Sequence, residues 1–579
     1  MKIQKIEVKN YRGLDGVSVL FDSNESFIVG KNNIGKTSTL DLLNTILSGN
    51  DFRSSDFQDE ERPIIVNAKF LLAEEEIGMF DDNFDSSEEN SVTIQFAQTD
   101  PVSQVKIIAE VSEENITKNQ IQKSNYIGFS SSRKPIQEND LTRQIGSYKL
   151  IPHLVRKFAE DKSMEIPETE GDNQAIINYI NKHLSQIKPF RDNQIHVGME
   201  TNYFDYITRS LRVQSEEGVD FSKLGFGTQF SSLIPLVLID QLISWSRYQH
   251  LDEHLCSNNN GGQELHIILG LDEPEVHLHP NLQFAVREDI ETLLLGNDQE
   301  FNKLVKELFD IDKVTGQMIV VTHSPAVLSN NYQQYIRYNS EINGLQVTSG
   351  QKLTLSSDQH KQLMMQLPNV KAALFADAVI LVEGETEYGA LPVFASKLGI
   401  SLVRANVNIV NAGGVKSTTA LKCLFNNLGI KCLSIIDKDD GNKAPEDVFV
   451  TSKRDFEDEC FELMGLRNIH EYFKIFYGAI ENSNYDGSFW DCYFSSDYKS
   501  GRIEALKAQK DVYEYVENYF TAYIDPKLVN EDNILSNLRT SFIKHYLKKN
   551  KSVLNGTIIA QCLEGVPETY KKALIEAAK

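Results

Sequence analysis

Residues Gly30 to Thr37, reading Gly-Lys-Asn-Asn-Ile-Gly-Lys-Thr, fit the pattern G-x-x-x-x-G-K-[ST], and nothing else in the chain narrows the fold as much. The pattern works only where a strand feeds a glycine loop that opens directly into a helix. Phe27-Ile28-Val29 supplies the strand, and Thr37 to Leu47 carries apolar residues at helical spacing, Leu40, Leu42, Leu43 and Ile46. Backbone N–H groups of such a loop wrap a phosphate, and the helix N-terminus adds its positive dipole end. Gly30, Asn32, Asn33, Gly35, Lys36, Thr37 and Ser38 are therefore the predicted nucleotide contacts. Lys36 is expected to reach the β- and γ-phosphates, and the Thr37 hydroxyl to ligate Mg²⁺.

Three downstream segments complete a nucleotide site. The apolar run Ile267 to Leu271 ends in Asp272-Glu273. A strand ending this way sets two carboxylates at the edge of a sheet, where Asp272 can hold Mg²⁺ and Glu273 can polarise an attacking water. Met318 to Val321 is a second strand, leading through Thr322 to His323, a candidate contact to the γ-phosphate. Lys223-Leu224-Gly225-Phe226-Gly227-Thr228-Gln229 puts glycines and small polar residues ahead of a helix predicted to begin near Phe230.

A separate set of acids follows. Ala378 to Val382 is a strand, and Glu383-Gly384-Glu385-Thr386-Glu387 continues from it. Cys432 to Ile436 is another, ending in Asp437-Lys438-Asp439. In a parallel α/β sheet both strand ends lie on one edge, so Glu383, Asp437 and Asp439 can converge. Carboxylates gathered in this way repel unless a divalent cation sits among them, and oxygen ligands favour Mg²⁺ or Mn²⁺. Such a site can activate water for displacement at phosphate.

Charge and cysteine usage bound the remaining classes. Across 579 residues, Asp plus Glu number 82 and Lys plus Arg 58, a net charge of −24. A uniformly basic nucleic-acid coat is excluded; a local basic groove is not. The six cysteines form no C-x-x-C pair, which predicts a reduced, cytoplasmic protein without structural zinc. The opening Met1 to Gly13 alternates like a strand rather than a signal peptide. No apolar run reaches the ~18 residues of a membrane span, so no membrane association is expected.

The glycine loop, Asp272-Glu273-Pro274-Glu275 and His323 stand in the order seen in ABC-type, SMC-like ATPases, and the loop around Gly227 resembles their signature motif, with Leu224 where serine is usual. Leu271 to Pro280, LDEPEVHLHP, and the opening Ile3 to Gly13 resemble the branch holding the OLD (overcoming lysogenization defect) proteins and RecF-like ATPases. The block from Ala376 to about Leu463 resembles a Toprim domain, and Val382 to Glu387 is close to its OLD form. The resemblance implies an α/β multidomain chain: an ABC/SMC-like P-loop ATPase with a helical insertion, then a Rossmann-like Toprim nuclease domain. The expected divisions are 1–134 and 222–345 for the ATPase, 135–221 for an inserted, dimerising helical region, and 346–579 for the nuclease with a helical extension.

The resemblance also implies roles. Glu383 is the acid/base or metal-linked glutamate, Asp437 and Asp439 are metal ligands, and Glu387 supports a second metal. Glu457 is the downstream acid, and Lys551 the lysine that steadies the scissile phosphate; Gln58 is the nearest candidate for a Q-loop. Gly227 would face nucleotide bound by a second subunit, so a dimer or a dimer of dimers is implied. The expected activity is an ATP-regulated, metal-dependent DNA endonuclease acting against phage, alone or beside a helicase or a reverse transcriptase. The basic run Arg539, Lys544, His545, Lys548, Lys549 and Lys551 could track a DNA backbone. The competing reading is a nucleotide-switched DNA-binding scaffold whose Toprim-like domain does not cut. A Toprim topoisomerase or primase is a third, disfavoured by the lack of chain length for a DNA gate and of a zinc module.

Overall fold

The computed structural model describes all residues except 74–75, 77–79, 81–89, 131–149, 152, 156, 158–169, 200–210, 248–249, 258–260, 342–343, 439–447, 465–467, 469–470, 473–474 and 476–550. The chain divides into two compact units, Met1–Lys352 and Leu353–Lys579.

The first unit opens with an antiparallel sheet. Strands β1 (Lys2–Lys9) and β2 (Ser18–Leu20) come first, and β3 (Glu25–Gly30) leaves them for the unit's main sheet. Then β4 (Ile64–Leu71), β5 (Ser91–Gln98) and β6 (Lys106–Ala109) return, giving the order β2-β1-β4-β5-β6. β4 alternates buried and half-buried residues along its length, as expected of a sheet with one covered face. The main sheet adds β7 (Tyr126–Phe129), β10 (Leu255–Ser257), β11 (Gln263–Asp272), β12 (Lys313–Val321), β13 (Tyr335–Glu341) and β14 (Gly344–Ser349) in the order β10-β11-β12-β3-β13-β14, with β7 also on β11. β3 is buried at all six positions, which is why its Phe27-Ile28-Val29 centre is uninterrupted apolar rather than alternating. Residues from both sheets share one core: Ile6, Val8, Val66 and Phe96 with Ile28, Ile268, Ile319 and Tyr338.

Register does the positioning. β11, β12 and β3 run parallel, with Asp272 level with Val321 and Val321 level with Ile28. The glycine loop, Asp272-Glu273 and His323 thus leave one edge of one sheet.

Several expectations need correcting. The helix after the glycine-rich loop is Phe226–Arg247, starting four residues earlier than predicted, so Gly227 lies in its first turn. The stretch expected to be helical does hold helices Glu170–Leu184 and Lys188–Asp192, but also a hairpin of β8 (Ile195–Met199) and β9 (Leu211–Ser215). Position 346 falls within β14, which pairs with β13, so the division expected there lies instead after Lys352.

The second unit is a parallel sheet of β15 (Ala378–Val382), β16 (Val407–Asn411), β17 (Lys431–Ile436) and β18 (Val448–Val450), in the order β16-β15-β17-β18. Helices Glu385–Lys397 and Val415–Asn427 connect the first three strands. The last two helices, Val553–Cys562 and Glu568–Ala577, close the core, where Ile558, Ile559, Tyr570 and Leu574 pack with Ile380, Val382, Phe394 and Phe456.

Candidate functional site

In the first unit, Gly30 closes β3 with φ at 148°, and a side chain there would meet the Tyr338 carbonyl oxygen at 2.6 Å. Only glycine fits such a turn pressed against a neighbouring strand. Gly35, at φ 103°, caps the helix Lys36–Leu47. Lys36 folds back so that its Nζ donates to the Gly30 carbonyl at 3.0 Å and the Lys31 carbonyl at 2.5 Å. Burial pushes its ammonium down to about 8, against the pull of Glu273 and Asp272. The Thr37 hydroxyl donates to Asp272 Oδ1 at 3.1 Å, so the two predicted Mg²⁺-linked groups touch although 235 residues separate them.

Glu273 holds φ at 48°, an uncommon conformation for a side-chain-bearing residue and one that concentrates at functional sites. Its N–H donates to the Val321 carbonyl at 2.8 Å. His323 Nε2 lies 3.7 Å from Glu273 Oε1, and the His323 N–H donates to Glu275 Oε1 at 2.7 Å. Burial, with Lys36 adding to it, lowers the imidazole below its ordinary value, which keeps it neutral at pH 7. A cavity of about 710 Å³ is lined by Asn32, Asn33, Gly35, Lys36, Thr37, Ser38, Glu273 and His323. A buried lysine beside an open cavity lined by a glycine loop and a helix N-terminus fits a nucleotide.

Four sequence candidates lie outside that lining: Gly30 and Asp272, which touch it through Lys36 and Thr37, and Gln58 and Gly227. Gln58 is exposed, and its N–H is bound to the Asn10 carbonyl at 3.1 Å. Gly227 packs in its own helix, where a Cβ would meet Leu282 at 2.6 Å. Conversely, Gly13, Ser340, Gly344 and Leu345 line the cavity without having been singled out as contacts. Asn343-Gly344 between alternating runs is a hairpin signal, but no local pattern says that this hairpin adjoins a phosphate loop.

In the second unit, Val382 is level with Ile435, so Glu383 and Asp437 leave neighbouring strands at one edge. The Asp437 N–H donates to Glu383 Oε1 at 3.2 Å. The next loop is pinned from the far side: the Lys438 N–H donates to Thr451 Oγ1 at 2.9 Å, and that hydroxyl donates to the Lys453 carbonyl at 2.8 Å. Thr451 is a supporting residue that carried no signal in the sequence. Asp439, and the basic run from Arg539 to Lys549, lie outside the described residues.

Glu387 sits in the first turn of the helix Glu385–Lys397, where an acid is favoured by the dipole. Its carboxylate curls over Gly384, with Oε2 2.9 Å from where a Cβ would be. Burial raises the carboxyl to about 7, and Asp437 and Glu457 add to the rise while Lys551 opposes it. Glu457, in the helix Phe456–Glu462, is 1% exposed, and neither carboxylate oxygen has a hydrogen-bond partner. Lys551 Nζ lies 3.7 Å from Glu457 Oε2. Burial raises Glu457 too, with Lys551 pulling it down. Glu459 is satisfied by the Ser452 N–H and the Thr569 hydroxyl, so among the three buried acids of this helix, Glu457, Asp458 and Glu459, Glu459 is tied into the fold while Glu457 faces a lysine.

An anionic group stripped of donors is costly unless a cation compensates it. Glu457, Glu387 and the Glu383–Asp437 edge supply carboxylate oxygens, the donor type that hard divalent cations take. Among the described residues, no three or more His, Cys, Asp or Glu side chains stand together at metal-ligand spacing. Among them, too, no helix is long and apolar enough to cross a membrane.

The chain was compared with known proteins. A model of the AAA ATPase domain matches residues 1–145 and 83–328. A model of the overcoming lysogenization defect protein-like TOPRIM domain matches 374–439. The Old nuclease of Escherichia phage P2 is 24% identical over 493 residues, covering 76% of this chain and 77% of that protein. Endonuclease GajA of Bacillus cereus (strain HuB5-5) is 21% identical, covering 85% and 84%. Among solved structures, an SMC head bound to the C-winged helix domain of ScpA aligns with 62% of this chain and 100% of its own, at 14% identity and a TM-score of 0.35. A RecF recombination mediator structure aligns with 60% and 97%, at 12% identity and a TM-score of 0.32.

Proposed function

Because the chain belongs to the AAA ATPase domain family through residues 1–328 and carries an OLD-like TOPRIM domain behind it, we propose that it is a DNA endonuclease that depends on a divalent metal and is regulated by ATP. The observation that carries this reading is the meeting of Glu383 with the Asp437 backbone beside a buried Glu457 that faces Lys551. The names of two relatives, a nuclease and an endonuclease, point the same way.

Glu383, Asp437 and Asp439, with Glu387 and Glu457, are the residues that would hold Mg²⁺ or Mn²⁺. Bound there, the metal would supply an activated water and neutralise charge growing on a phosphodiester. The chain's own groups do the rest. Glu383 would serve as the acid/base or metal-linked glutamate, and because burial raises Glu387 to about 7, Glu387 would give up a proton near neutral pH on taking a cation. Lys551 brings a positive charge to a cluster otherwise made of acids, where it can meet the scissile phosphate. Hydrolysis adds water across one P–O bond and leaves a free 3′-hydroxyl with no protein-linked DNA.

In the first unit, Lys36 and the loop N–H groups would bind the β- and γ-phosphates, Thr37 and Asp272 would hold Mg²⁺, and Glu273 would orient water while neutral His323 donates to the γ-phosphate. Gly227 would serve the nucleotide of a second copy, which makes a homo-oligomer part of the proposal. A role against phage, with or without a partner protein, follows from the OLD resemblance.

The test is cleavage of supercoiled and linear DNA with Mg²⁺ or Mn²⁺, with and without ATP, for wild type, Glu383→Ala and Lys36→Ala. Wild type should cut, Glu383→Ala should lose at least about a hundredfold in rate, and Lys36→Ala should report the sign of ATP control. Lys36-dependent ATP hydrolysis without cutting of any DNA would instead favour the scaffold reading.

A further inference from the structure

Glu387 stands on the helix Glu385–Lys397, Lys551 lies two residues before the helix Val553–Cys562, and the two helices cross closely. A Cβ on Gly389 would lie 2.0 Å from the Val553 carbonyl oxygen, and a Cβ on Gly556 would lie 1.8 Å from the Thr386 carbonyl oxygen. The two helices therefore meet backbone to backbone, each through its one glycine at the contact. The Thr557 hydroxyl ties the crossing, lying 3.1 Å from the Gly389 carbonyl and 2.9 Å from the Val553 carbonyl. Thr386 adjoins Glu387, and Val553 is two residues past Lys551. Ser552 between them caps its helix by accepting from the Asn555 N–H at 3.1 Å, and Asn555 receives the buried Tyr472 hydroxyl. Lys551 is itself half-exposed, with Glu457 as its ion-pair partner. Its own packing does not place it; the helix behind it does.

We propose that Gly389, Gly556 and Thr557 are positioning residues: the glycine crossing sets Lys551 against Glu457 and beside Glu387, and widening it uncouples the lysine from the acid cluster. A methyl group on either glycine must push the backbones apart by more than 1 Å, because it meets a carbonyl rather than a yielding side-chain tip. Displacement of about 1 Å at a reacting group is enough to cost roughly a hundredfold in rate. The proposal rests on reading the acid cluster as the nuclease site, and its test includes a measurement that does not depend on cutting.

The full-length variants Gly389→Ala, Gly556→Ala, Lys551→Ala and the Lys551→Ala/Gly556→Ala double are compared with wild type. Expected is a fall in kcat for each glycine variant towards that of Lys551→Ala, with KM for DNA within about threefold of wild type and ATP turnover unchanged. The double variant should be no slower than Lys551→Ala alone, since both changes remove the same group from its place. Thr557→Val should share the defect and Thr557→Ser should restore it, which keeps the proposal testable if a glycine variant fails to fold. Independently of activity, the acylation rate of the Lys551 amine by an N-hydroxysuccinimide ester is read by mass spectrometry. It should be slow in wild type and faster in Gly556→Ala, Thr557→Val and the control Glu457→Gln. Wild-type cutting by Gly556→Ala, a double variant slowed by the product of the single effects, or unchanged acylation across the variants would each overturn the proposal. If wild type cuts no DNA, the nuclease reading fails and the acylation rates alone decide this one.

Discussion

Lys36 and Glu387 are two side chains whose charge the fold controls, in opposite directions. Burial lowers Lys36 from the ordinary 10.5 to about 8, so near pH 8 about half the nucleotide-free molecules carry a neutral amine there. Polyphosphate binding favours the charged form, and nucleotide binding near pH 8 is expected to take up about half a proton per site. Calorimetry in buffers of different ionisation enthalpy measures this directly; zero uptake at pH 8 would mean that Lys36 is already charged. Glu387 is raised from 4.5 to about 7. Its folded form keeps a proton that the unfolded chain gives up near pH 4.5. The associated stability is present below pH 4.5 and is lost as pH rises through 7, on the order of 3 kcal/mol. With a metal chelator present, Glu387→Gln is expected to raise the melting temperature at pH 8 and to flatten its fall between pH 5 and 8. Parallel melting curves for the two proteins would refute the burial argument. The identities of both residues were legible from their motifs, but their ionisation was not. It depends on how deeply each is covered, by residues distant in sequence.

At the scale of elements, three parallel strands bring Ile28, Val321 and Asp272 level, and the turn out of β3 works only as glycine. Gly30→Ala would bring a methyl group to the Tyr338 carbonyl at φ 148°. Expected are a stability loss of about 1–3 kcal/mol and weakened nucleotide binding, read by denaturant melts and by titration with a fluorescent ATP analogue. Unchanged affinity would show that the loop tolerates a shifted β13. The same scale explains the misreadings. Gly225 and Gly227 promise a loop because glycine is a poor helix former, yet Gly227 lies in the first turn of a helix that runs on to Arg247. The hairpin of β8 and β9 lies in a polar stretch whose pattern was read as helical, and short strands carry too few periods to prevail in such a window.

For the whole molecule, two units with their own cores carry the two candidate sites. Ligands that bind the folded state raise its melting temperature by mass action, so each site should report separately. ATP is expected to stabilise wild type and Glu457→Gln but not Lys36→Ala. Mn²⁺ without nucleotide is expected to stabilise wild type and Lys36→Ala but less so Glu457→Gln. Scanning calorimetry with each ligand checks this; loss of both responses from one substitution would mean that the sites are not independent.

Sequence alone determined the chemistry-bearing strings. A glycine loop before a helix, an apolar strand ending in Asp272-Glu273, and Glu383 and Asp437 at the ends of two further strands are local patterns, and each requires its residues at fixed short spacing. Tertiary structure decided everything that depends on distance across the chain. It laid the Thr37 hydroxyl on Asp272, left Glu457 without donors while satisfying Glu459, and brought Lys551 from near the end of the chain to Glu457 through a crossing of two glycines. The physical reason is that periodicity encodes which face of an element is buried, whereas the partner that buries it, and the charge it then keeps, exist only once distant segments have packed.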